Sequence, residues 1–81
     1  MEERVSMIGI IVENMDSTDK LNALLHEYGS YIIGRMGIPY PKKNLNIISI
    51  ALDAPMDVIN TLSGKIGQLD GISSKVVCSK G

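Results

Sequence analysis

Two apolar, mostly β-branched runs, residues 5–13 and 45–53, are hydrophobic at odd and even positions alike, which a chain of 81 residues can accommodate in few ways. In the first run Ser6, Ile8, Ile10 and Val12 fall on one face of an extended strand, and Met7, Gly9 and Ile11 on the other. In the second, Ile48, Ile50 and Leu52 alternate with Leu45, Ile47, Ser49 and Ala51. Strands with two apolar faces call for burial on both. So small a chain buries a modest fraction of its surface, so cover for the second face is expected from a partner subunit.

The intervening segments supply helices. Asn14-Met15-Asp16-Ser17 is a turn with N-cap candidates, followed by Leu21, Leu24, Leu25 and Tyr28 at i, i+3, i+4 and i+7. That spacing predicts one amphipathic helix ended by Gly29. A second stripe, Ile59, Leu62, Ile66 and Leu69, is expected to open at Asp53-Ala54-Pro55, since proline suits a first helical turn. It closes at Asp70-Gly71. Residues 30–38 and 72–79 read as further strands, the former interrupted by Gly34 and Gly37, which suggest a bulge. Residues 39–44 read as a loop.

The resulting order is βαββαβ, a single domain over residues 1–81. Two βαβ units whose inner strands form a hairpin give a ferredoxin-like α+β sandwich, a four-stranded antiparallel sheet with both helices on one face. The uncovered face is then predicted to expose Met7, Ile11, Ile33, Leu45, Ile47 and Ala51 as an apolar patch, the expected oligomer interface.

The chemistry visible in the chain is sparse. Hydrophobic residues make up 44% without any Phe or Trp, so the core falls to Ile, Leu, Val and Met. A net charge of −1 argues against direct nucleic-acid binding. The single cysteine, Cys78, excludes an internal disulfide, and the single histidine, His26, has no second ligand at helical spacing. No nucleophile–base pair or cofactor fingerprint is present, so neither catalysis, a metal site nor a cofactor is expected. Glu13, Asp16, Asp19, Asp53 and Asp57 cluster at helix starts, where carboxylates cap backbone N–H groups. The segment Met1–Arg4 resembles no secretory signal, and no apolar run reaches membrane-spanning length, which leads us to expect a cytoplasmic protein.

The stretch Gly34-Arg35-Met36-Gly37-Ile38-Pro39-Tyr40 stands apart, because a strand rarely sets two glycines around an arginine and ends in Pro-Tyr. It lacks the helix of a phosphate-binding glycine loop. Arg35, Met36, Gly37 and Tyr40 are the candidate residues for binding an anion or a partner, the alternative being a twisted hairpin strand with a solvent-facing Arg.

Together with His26-Glu27-Tyr28-Gly29, Asp53-Ala54-Pro55, Leu62-Ser63-Gly64-Lys65-Ile66-Gly67 and Lys75-Val76-Val77, that stretch resembles the iron-only hydrogenase system regulator family over nearly the whole chain. The resemblance implies a short ACT-like domain, similar in fold to the C-terminal domain of the nickel-responsive regulator and associated with hydrogenase maturation genes. It further implies a homo-oligomer, dimer or tetramer, with an unknown small-molecule effector or a hydrogenase-related protein as possible partner. It does not extend to nickel, because one His on a helix and one Cys on a distant strand cannot build that multi-histidine site within a chain. Nor does it extend to the amino-acid effectors of ACT domains, which often place a glycine in the first strand-to-helix turn, where this chain has Asn14-Met15-Asp16-Ser17. A sensor or assembly factor with sites shared between subunits is the alternative function.

Overall fold

The computed structural model describes residues 3–80. Strands β1 (Glu3–Val12), β2 (Ile32–Tyr40), β3 (Leu45–Pro55) and β4 (Ile72–Cys78) alternate with helices α1 (Thr18–Glu27) and α2 (Met56–Gly67) in the expected βαββαβ order. The strands form one antiparallel sheet ordered β2-β3-β1-β4. Each helix thus links two strands that are not neighbours, the split βαβ arrangement of the ferredoxin-like fold.

The two-faced strands lie at the centre of the sheet. Ile8 pairs with Ile50 and Ile10 with Ile48, and these four, with Val12, Leu52 and Ala54, face the helices. Leu21 and Leu25 of α1 and Ile59, Leu62 and Ile66 of α2 close over them, and the resulting core is entirely aliphatic. Both helical stripes pack as their spacing predicts, with Leu24, Tyr28 and Leu69 at the margin. Lys65 of α2 ties the helices together: its Nζ lies 3.5 Å from a Glu27 carboxylate oxygen and 5.2 Å from the Tyr28 ring centroid. Tyr28 first, and then Glu27, hold its ammonium above the ordinary lysine range.

Three local expectations are corrected. Asp53-Ala54-Pro55 does not open α2; it ends β3, opposite Val5, Arg4 and Glu3, and Pro55, at ψ 149°, is the residue before the helix. Pairing with the long β1 therefore prevails over the helix-start signal. Pro39 and Tyr40 belong to β2, and only Pro41–Lys43 forms a short 3-10 turn, closed by Asn44 in the left-handed region. The acids do not cap by their side chains. It is the Asn14 side chain that accepts from the Asp16 N–H, leaving Asp16, Asp19 and Asp57 to complement helix dipoles from first turns.

The turn from α2 to β4, at Asp70-Gly71, is tied to the corner between β1 and α1. The Gly71 carbonyl accepts from the Glu13 N–H at 2.7 Å, and beside it the Ser17 hydroxyl donates to the Asp70 carbonyl at 2.6 Å. Gly71 has φ 69°, and a Cβ there would collide with the Asn14 Cβ. Strain and collision together predict that Gly71→Ala destabilises the fold by about 2 kcal/mol or more, read as a lowered urea midpoint with unchanged slope.

Candidate functional site

With α1 and α2 on one side, the opposite face of the sheet is open. Its centre is built from pairs across β1 and β3: Met7 opposite Ala51, Gly9 opposite Ser49 and Ile11 opposite Ile47. Val77, Lys75 and Ser73 of β4 flank β1, while Tyr40, Ile38 and Met36 of β2 flank β3. Of the residues predicted for this patch, Met7, Ile11, Ile33 and Ile47 are exposed, whereas Leu45 and Ala51 are half-buried by their neighbours.

Sequence reasoning missed Val5, Met36, Ile38, Tyr40 and Val77 as members of this face, where Val77 is 68% and Met36 61% exposed. For Met36, Ile38 and Tyr40 the reason is a bulge in β2. Ile32 pairs with Leu52 but Gly34 pairs with Ala51, so one extra residue, Ile33, sits in the edge strand. An inserted residue reverses the facing of everything after it. The signal was present in Gly34, but a glycine marks a bulge without giving its position.

The bulge also divides the candidate binding residues. Met36 and Tyr40 point to the open face, while Arg35 and Gly37, opposite Ile50 and Ile48, point to the helix side. These four residues therefore form no single site. The open face instead carries a shallow depression of about 460 Å³ above Gly9, walled by Ile11, Ile47, Ser49, Ser73 and Lys75. A Cβ at Gly9 would meet nothing within 4 Å, so the missing side chain creates the depression.

On the helix side Arg35 reaches α1, where its Nη2 donates to Asn22 Oδ1 at 2.7 Å. The two lie beside a crevice of mixed lining and about 230 Å³ at the β2 edge, completed by Thr18, Gly37, Ile38, Pro39, Asn46 and Ile48. Among the described residues Arg35 has no carboxylate partner, the ion pair found being Lys65–Glu27.

His26 is exposed on α1, and Cys78 is half-buried at the end of β4, where the Ser6 hydroxyl donates to its Sγ at 3.1 Å. No cluster of three or more His, Cys, Asp or Glu suited to a metal occurs among the described residues. No helix of the described residues is long and apolar enough to cross a membrane.

A central antiparallel pair, two covering helices and an open apolar face define a ferredoxin-like α+β domain, a fold shared by proteins of many functions. Its sequence matches, over residues 4–76, the TM1266-like family described as "Iron-only hydrogenase system regulator, putative", and the chain belongs to that family. The uncharacterized protein TM1266 from Thermotoga maritima is 35% identical, with a TM-score of 0.93 over 98% of this chain and all of that one. A formyltetrahydrofolate deformylase from Pseudomonas putida KT2440 is similar in fold alone: 11% identity and a TM-score of 0.68 over 95% of this chain, but 29% of the deformylase. CPII, a nitrogen regulatory PII-like protein from Thiomonas intermedia K12 whose structure holds ADP, AMP and bicarbonate, aligns over 98% of this chain and 99% of its own, with a TM-score of 0.56 and 13% identity. No curated protein matches the sequence.

Because His26 is solvated and touches no part of the core, His26→Gln is expected to change unfolding free energy by less than about 0.5 kcal/mol. Chemical denaturation of both proteins at pH 7 measures this directly.

Proposed function

We propose that this chain is a non-catalytic regulatory module of an iron-only hydrogenase system that works as a homo-oligomer, with a second copy seated on the open sheet face. The observation that carries the reading is the apolar face itself: Val5, Met7, Ile11, Met36, Ile38, Ile47 and Val77 all expose more than a third of their surface on one side of one sheet.

Strands of this length, at about 3.3 Å per residue and about 4.8 Å apart, present about 500 Å² in plan, and side-chain relief raises this toward the about 800 Å² that each partner gives to a standard interface. An apolar patch of this size is typical of functional contact surfaces. Shape supports a second copy as the occupant. Ile11 and Ile47 stand beside the depression over Gly9, so the face offers both projections and a recess, as a self-complementary two-fold contact requires. Of the charged residues on it, Glu3 and Asp53 lie at one end, whereas Lys75, opposite Gly9 on the edge strand β4, borders the depression.

Family membership supports a hydrogenase context for such a module, and the fold likeness to a PII-like regulator is in keeping with a small module that acts by binding. Sedimentation at micromolar concentration is expected to give a dimer or larger species. The double variant Ile11→Lys with Ile47→Lys is expected to sediment as a monomer with unchanged far-ultraviolet circular dichroism, because both side chains already face water in the single subunit. A wild-type protein that stays monomeric at those concentrations would refute assembly through the sheet.

A further inference from the structure

The open face is corrugated across its strands. Ile38 of β2, Ile47 of β3 and Ile11 of β1 stand abreast, since Ile38 pairs with Ile47 and Ile47 with Ile11, and all three are exposed. They form a ridge of branched side chains. Two residues along the strands, about 6.6 Å away, Ser49 and Gly9 pair to leave a furrow, the depression of about 460 Å³. Given assembly through this face, on which the reading rests, we infer that two copies interlock ridge into furrow. Ile11 and Ile47 of each copy fill the furrow at Gly9 and Ser49 of the other, about a two-fold axis that crosses the strands.

Gly9 supplies the first reason. A glycine inside a strand weakens it, and a bulge, a positive φ or a close approach from outside accounts for one there. Pairing of β1 with β3 and with β4 runs unbroken through Gly9, and its φ is not positive. Nor does the subunit crowd it, since a Cβ at Gly9 would meet nothing within 4 Å. What needs the space therefore lies outside the single subunit. Size agrees, because a cavity of about 150 Å³ holds a benzene ring, and the depression, at about 460 Å³, has room for two isoleucine side chains once a partner closes it.

The direction of the axis follows from close packing. A two-fold axis parallel to the strands would set ridge on ridge, Ile11 against the partner's Ile47, and leave the two furrows facing each other as a void. An axis across the strands, level with the Ile10–Ile48 pair, instead sets large residues against small ones. Ile11 then meets the partner's Gly9, Ile47 the partner's Ser49 and Leu45 the partner's Ala51. Lys75 falls opposite the partner's Ser73 rather than a second lysine, with its stem along the face and its ammonium in water past the edge strand β4. Twisted sheets that pack aligned cross at about 30°, which keeps the central pairs in place.

Size-swapped variants test this seating. Gly9→Leu fills the furrow, and Ile11→Ala with Ile47→Ala lowers the ridge. Both sets of atoms face water on the single subunit, so both proteins are expected to fold, as circular dichroism and a urea melt verify. In sedimentation, each variant alone should associate at least about tenfold more weakly than wild type. Mixed in equal amounts, the two should form a heterodimer at least about tenfold tighter than either homodimer, counted by native mass spectrometry. There the intact ridge finds the intact furrow, and the introduced leucine takes the space of the missing isoleucines. Gly9→Leu associating as tightly as wild type, or a mixture with no excess of heterodimer over chance, would overturn the interlock, while a dimeric wild type leaves assembly through the sheet standing. A monomeric wild type would overturn both.

Discussion

Antiparallel pairing of β1 with β3 is the constraint on which the structure depends. Ten residue pairs from Glu3–Pro55 to Val12–Asn46 bring the two most apolar segments side by side at the centre of the sheet. Once they are paired, the helix-side isoleucines form a floor that α1 and α2 must cover. Two helices of ten and twelve residues can cover one side of four strands and no more. The exposed face is therefore a consequence of the topology together with the sequence of β1 and β3. Had the odd positions of β1 been polar, as in an ordinary one-sided antiparallel strand, the same fold would have no apolar face.

How much of this could be read beforehand differs from strand to strand. In β1 and β3 alternation is uninterrupted, so the buried set Ile8, Ile10, Ile48, Ile50 and Leu52 and the exposed set Met7, Ile11 and Ile47 follow from parity alone. In β2 parity fails, because the extra residue at Ile33 turns Arg35 to the helix side and Met36 to the open side. That bulge depends on how β2 settles against β3, a long-range event with no local signature beyond a glycine. Helix interiors were legible from their stripes, but their starts were not. The opening of α2 shifted because Asp53–Pro55 could gain strand partners in β1, and the first cap fell to Asn14 rather than to a carboxylate. Gly71 was legible as a turn, whereas its role in holding the Glu13 corner needed the third dimension.

The same bulge separates two surfaces that a linear reading had merged. Residues 34–40 read as one candidate site; in space they serve two faces of different chemistry, one apolar and broad, the other small, of mixed lining, with Arg35 bonded to Asn22. A thin sheet thus connects a broad apolar surface to a crevice through single residues of β2, with Met36 on one side and its neighbours Arg35 and Gly37 on the other.

The central claim is that the open sheet face meets its counterpart on a second copy. Isotope-filtered NOE spectra on a mixture of methyl-labelled and unlabelled subunits test it most directly, because they record only contacts between chains. The predicted result is intermolecular NOEs from the methyls of Met7, Ile11, Met36, Ile38 and Ile47. Intermolecular NOEs confined to α1, α2 or the sheet edges, with none from these five residues, would contradict it.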